Sequence, residues 1–212
     1  MAQLGRPRSF DRTQAIDEAM LLFWRYGYEA TSLNRLKAAI GGGITAPSFY
    51  AAFGSKEALF KEVVARYMET HGRVNDPLFD EALAPREAIA SALGRSARMQ
   101  CDEQLPKGCL VALGTLGSYA EEDSSIPLPL REARARIRTG LLACVSRGIA
   151  RGDLAEGIDA RALATVFEGL LLGISPMARD GVALAVIEGA IAQVMTLWDG
   201  NARSTATARP DA

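Results

Sequence analysis

Between Thr45 and Lys56 the chain carries small polar side chains at helical spacing. Thr45, Ser48 and Tyr50 bring hydroxyls, Ala51 leaves room beside them, and Lys56 adds an ammonium group. Hydroxyls flanked by a small residue on one outward face suit contact with phosphate oxygens and base edges. No catalytic set competes with that reading. The chain has one histidine, His71, and no nucleophile elbow, phosphate-binding glycine loop or carboxylate pair in a recognisable motif. Cys101, Cys109 and Cys144 do not share a ligand-type spacing with one another or with His71. Neither enzymatic activity, a metal nor a cofactor is therefore expected.

The hydroxyl-bearing face needs elements to hold it. Ser32–Ile40 places Leu33, Leu36 and Ile40 on one helical face, with Thr31 or Ser32 able to cap its start. Gly41-Gly42-Gly43 must end that helix, since glycine alone adopts the left-handed angles of a tight reversal cheaply. Ala46–Phe53 restarts a helix, with Thr45 as N-cap and Pro47 close to the first turn. Two short helices joined by a glycine turn describe a helix-turn-helix, whose second helix enters the DNA major groove. The same pattern also describes a helical hairpin with no nucleic-acid role.

Around this pair the remaining segments all read as helical. Phe10–Tyr26 is predicted as the first long helix, capped by Asp11, buried along Ile16, Ala19, Met20 and Phe23, and ended by Gly27. Ser55 caps a helix from Lys56 to about Gly72, whose free N–H groups and Lys56 together suit a phosphate. His71 near its end reads as a surface or capping group. Asn75–Pro85 is a connector, since Pro77 and Pro85 exclude a continuous helix. Further helices are predicted over Arg86–Cys101, Cys109–Tyr119, Leu130–Arg151, Asp159–Ala178 and Val182–Trp198. Pro176 should disturb and kink the penultimate one. The fold class is all-α, with about nine helices.

Composition narrows the setting. Half of the 212 residues are apolar, yet no run approaches the ~20 that a membrane helix needs, so a soluble protein is expected. Without a leader pattern and with an odd number of cysteines, the reducing cytoplasm fits best. Net charge is −1, but it is segregated: residues 1–56 hold seven basic and four acidic groups, leaving −4 for the rest. Within the arginine run of the Leu130–Arg151 helix, Glu132 and Arg136 are spaced to pair. The last two helices carry wide apolar stripes, including Val166, Leu170 and Ile174, then Val186, Ala190, Val194 and Leu197. Pairing them with a second copy in a four-helix bundle would bury the excess.

Residues Arg12–Leu59 resemble the DNA-binding domain of the TetR family of bacterial transcriptional regulators. The matching pieces are Phe23-Trp24-Arg25-Tyr26-Gly27-Tyr28-Glu29-Ala30-Thr31-Ser32, Pro47-Ser48-Phe49-Tyr50-Ala51-Ala52-Phe53, and Ser55-Lys56-Glu57-Ala58-Leu59-Phe60. Gly42 and Gly43 look like a two-residue insertion in the usual turn, which bears on the angle of the second helix. Gly173–Gly181 also looks like the junction between the last two helices in one branch of the family.

The resemblance implies a homodimeric repressor that leaves a palindromic operator when an effector binds. It implies a division into a basic arm (1–9), a helix-turn-helix head (10–54), a connecting helix (55–72), a ligand-binding and dimerisation body (73–200) and a tail (201–212). Phosphate contacts are expected from Thr31, Tyr50 and Lys56, with Arg6 and Arg8 in reach, and base contacts from Thr45, Ser48, Pro47 and Ala51. An effector pocket in the body would draw on Met68, Leu93, Met99, Leu113, Leu116, Tyr119, Ile137, Leu141, Phe167 and Met177. Cys109, after Lys107-Gly108 at a helix start, is the redox or electrophile candidate, because helix field and ammonium both lower a thiol pKa, the other reading being a buried, inert cysteine. The lengthened turn keeps open an alternative, an effector-binding helical protein without specific DNA recognition.

Overall fold

The computed structural model describes residues 11–114 and 128–202. Among these residues the chain forms α-helices and short 3-10 turns, with one isolated β-bridge. The α-helices are α1 (Arg12–Ala30), α2 (Leu33–Ala39), α3 (Ala46–Phe53), α4 (Lys56–Glu69) and α5 (Pro85–Cys101). They continue with α6 (Leu110–Leu113), α7 (Leu128–Ala150), α8 (Ala160–Arg179) and α9 (Leu184–Gly200). The chain divides into two compact units, 1–73 with 100–134, and 74–99 with 135–212.

Helix starts follow the polar residues that precede them. Asp11 accepts from the Thr13 and Gln14 amides, Ser55 from Ala58, and Asp159 from Ala162. Ser32, not Thr31, caps α2, by accepting from the Arg35 amide. Each such cap contributes about 1 kcal/mol. Gly27 breaks the helical path inside α1 at φ 78° and ψ 172°, where a side chain would be strained. Its neighbour Tyr28 then donates its amide to the Gly114 carbonyl at 2.9 Å.

An aromatic cluster fills the first unit. The rings of Phe23 and Phe60 meet edge to face at 5.0 Å, as do those of Tyr28 and Phe60. Trp24 meets Tyr67 at 4.9 Å and donates its indole N–H to the Gly108 carbonyl at 2.9 Å. Two ion pairs, Arg12 with Glu62 and Arg66 with Asp17, join α1 to α4 across their rims.

In the second unit Ile89, Leu93, Leu141, Cys144, Val145, Phe167, Ile187 and Met195 are buried. α8 alone among the described residues is long and apolar enough to cross a membrane, but its Leu163, Phe167, Leu171 and Ile174 side chains are spent on this core. It continues as one helix through Pro176 to Arg179, although Pro176 has no N–H to donate to the Leu172 carbonyl. Glu132 does not hold Arg136; that guanidinium lies over the exposed Phe79 ring at 4.7 Å. Asn201 and Ala202, assigned from sequence to the tail, instead close on Ala155 and Leu154 through the β-bridge.

Candidate nucleic-acid interface

α3 is an eight-residue helix with a divided circumference. Phe49 and Phe53 are fully buried on one side, while Pro47, Ser48, Tyr50 and Ala51 are exposed on the other. Phe49 packs on Phe53 with ring centroids 5.4 Å apart, and Tyr50 meets Phe49 edge to face at 5.7 Å. The Arg12 guanidinium stands over the Phe53 ring at 5.5 Å, so α1 also grips the C-terminal end of α3. Thr45 caps the helix by accepting from the Ser48 amide at 3.3 Å. Its hydroxyl and that of Ser48 lie 3.0 Å apart and share a proton in one direction or the other. Both remain exposed at the helix start, where backbone N–H groups also favour an anion.

The glycine-lengthened turn is closed rather than loose. Gly41, Gly42 and Gly43 all have positive φ, at 57°, 74° and 118°. The Gly43 amide donates to Ile40 at 2.9 Å and the Ile44 amide to Lys37 at 2.8 Å. An added Cβ at Gly42 or Gly43 would meet only open space, so backbone angle and not crowding requires glycine there.

Lys56 sits at the first position of α4 with its ammonium 4.1 Å above the Tyr28 ring. Burial lowers its pKa from the ordinary lysine value, with Glu29 acting in the opposite sense. The ammonium is thereby held beside the α4 N-terminus, whose free N–H groups favour an anion. Arg35, counted from sequence only in the charge balance, stacks over the exposed Tyr26 ring at 4.1 Å. That exposed cation on α2 adds a positive group that the motif match did not mark.

Several sequence assignments change. Thr31 is fully buried and donates its hydroxyl to the Gly27 carbonyl at 2.6 Å, so it serves the turn and not a phosphate. Arg6 and Arg8 lie outside the described residues, as do Leu116 and Tyr119. Of the proposed pocket residues, Leu93, Leu113, Ile137, Leu141 and Phe167 are buried and Met68, Met99 and Met177 half-buried. Met68 and Leu113 belong to the first unit and the others to the second. Ile174 is fully buried in its own chain, which removes it from the dimer face, whereas Val166, Val186 and Leu197 are exposed.

Cys109 is also corrected. It precedes α6, a helix of only four residues, and Lys107 is turned away to donate to the Cys101 carbonyl. Burial raises the thiol pKa, outweighing the Tyr67 hydroxyl that donates to its sulfur at 3.3 Å. The Val111 and Ala112 amides at the helix start also favour the thiolate, but burial outweighs them. His71 differs too: it packs against the Trp24 ring at 4.9 Å and burial lowers its pKa, so a cation is disfavoured there.

Family models for the bacterial regulatory proteins of the tetR family match residues 15–63, and for the tetracyclin repressor-like C-terminal domain residues 85–194. The HTH-type transcriptional repressor ComR of Escherichia coli K12 is 32% identical over 195 residues, covering 92% of this chain and 91% of that protein. BdcR, another repressor of that organism, is 34% identical over 110 residues, about half of each chain. Among solved structures, a cysteine mutant of the TetR family regulator CifR, complexed with 26-bp operator DNA, is 38% identical with a TM-score of 0.83. That similarity covers 91% of this chain and all of the other.

Two outcomes follow from this geometry. Tyr50→Ala should lower affinity for the cognate duplex about fivefold to tenfold, the loss of one or two polar contacts, while melting stays unchanged. A drop in melting with no specific loss of binding would make Tyr50 a core residue. Cys109 should react with iodoacetamide at pH 7.5 more slowly than free cysteine, measured by peptide-resolved mass spectrometry; faster labelling would contradict the raised pKa.

Proposed function

The chain belongs to the TetR family of bacterial regulatory proteins, and from that membership we propose how its residues carry the family's work. It is a DNA-binding transcriptional regulator of the repressor type, with double-stranded operator DNA as its partner. The observation that carries the reading is α3, a short helix pinned by two buried phenylalanines with hydroxyls and a small residue facing out.

In this account α3 enters the major groove. Tyr50 and Lys56 bind phosphates, with Arg35 a third cation for the backbone, while Thr45, Ser48, Pro47 and Ala51 approach base edges. The Lys56 ammonium, held over Tyr28, adds charge at a fixed point and loses little side-chain freedom on binding.

Two copies bind together. α8 and α9 leave Val166, Leu170, Val186, Ala190, Val194 and Leu197 on outward or half-buried positions. At Gly169, Gly173 and Gly189 an added Cβ would meet nothing, so backbone is open to close approach along the same helices. A self-complementary four-helix contact covers this surface, and two heads then read a palindrome. A small-molecule effector favours the spacing of heads that does not fit DNA, and lowers operator affinity by its differential affinity for the two states. The protein works without chemistry of its own, in the cytoplasm where its operator lies.

Selection of genomic fragments by the purified protein tests this. Enrichment of a palindrome is expected, and it should be lost with Val186→Arg, which places a charge on an already exposed position and should halve the mass in solution. An unchanged mass would remove α9 from the interface, and no enrichment from the unmodified dimer would remove specific DNA recognition.

A further inference from the structure

The turn before α3 combines three successive glycines with positive φ, the most conformationally free stretch between the two helices of the motif. Its internal hydrogen bonds, Gly43 to Ile40 and Ile44 to Lys37, close the loop on α2, and the buried Ile40 side chain anchors its start. One further bond ties its backbone to α1. The Gly41 amide donates to Oε2 of Glu18 on α1 at 2.8 Å, across 23 residues of chain. The other carboxylate oxygen, Oε1, accepts from the Gln14 side chain at 2.9 Å, one turn earlier on the same helix. Gln14 is itself at the capped start of α1, where its amide reaches Asp11. Both oxygens of one carboxylate are thus occupied, one by its own helix and one by the turn.

We propose that Glu18 is a positioning residue for DNA recognition: it braces the glycine turn against α1 and so fixes the angle at which α3 meets the groove. This rests on the reading of α3 as the recognition helix. Phe49 and Phe53 set the depth of α3, because both rings are buried, but burial along one stripe leaves a short helix free to rock about it. The brace acts at Gly41, four residues ahead of the Thr45 cap, and is passed to the start of α3 through the turn closed by the Gly43 and Ile44 amides. An angular error there moves groups that must reach base edges within hydrogen-bond distance, while longer-range phosphate attraction tolerates it. Glu18 touches no DNA in this role; as an anion near a polyanion it would only weaken binding by its charge. Its presence is explained by the hydrogen bond it accepts.

Two substitutions separate charge from bracing. Glu18→Gln and Glu18→Ala both remove the negative charge, but only glutamine keeps an oxygen able to accept from the Gly41 amide. Binding is measured by anisotropy on the palindromic duplex recovered by selection and on an unrelated duplex of equal length, across a salt series. Glu18→Ala should lose about threefold to tenfold in the ratio of specific to non-specific affinity relative to Glu18→Gln, with equal salt slopes. Amide exchange of Gly41 in the DNA-free protein should be faster in Glu18→Ala than in Glu18→Gln, at unchanged melting temperature. Equal specificity ratios in the two variants would overturn the proposal even if Gly41 exchange differs. An unmodified protein with no preference for any duplex would instead overturn the assignment of α3, and the proposal with it.

Discussion

An eight-residue helix has no independent stability in water, so α3 exists only because Phe49 and Phe53 are buried. Removing two phenylalanine side chains from water stabilises the attachment by about 1.5–3 kcal/mol each, more than any single polar contact at this surface. The exposed hydroxyls are useful because the opposite side of the same helix is committed. Thr45 as cap and Pro47 in the first turn add local stability at the end that faces outward, so the reading surface begins at an ordered position.

In the same unit, α1 and α4 share an aromatic interior. Phe23, Trp24, Tyr28, Phe60 and Tyr67 meet at edge-to-face distances and fill the space that shorter aliphatic side chains would leave void. The residues 108–114 are tied into it by the Trp24 indole at Gly108, the Tyr67 hydroxyl at Cys109 and the Tyr28 amide at Gly114. Tyr28 is also the ring under Lys56. A displacement of this short segment therefore reaches the aromatic cluster and Lys56 through direct contacts within one unit.

Much of this was legible in the sequence because it is local. Asp11, Ser32, Thr45, Ser55 and Asp159 cap helices through bonds spanning two or three residues, and the apolar spacing marked Leu36 and Ile40 as inward. Errors arose where a residue's partner is distant or its exposure is set by packing. Thr31 has the right chemistry for a phosphate, but the break at Gly27 brings a carbonyl to its hydroxyl. Ile174 carries the right hydrophobicity for an interface, yet helical phase turns it inward, as it turns Val166 and Val186 outward. Cys109 was judged by neighbours in sequence, whereas Lys107 is oriented elsewhere and burial dominates the thiol. The Glu18 to Gly41 bond and the Lys56 to Tyr28 stack left no signal in periodicity or spacing, since each joins segments more than twenty residues apart.

Guanine methylation protection on the selected operator tests the central claim most directly, since N7 lies only in the major groove. With α3 as the reading element of a symmetric dimer, protection should fall in two major-groove patches on one face of the duplex, about one helical turn or ~34–36 Å apart. A single patch, or binding that leaves every N7 reactive, would contradict the assignment of α3 to the groove.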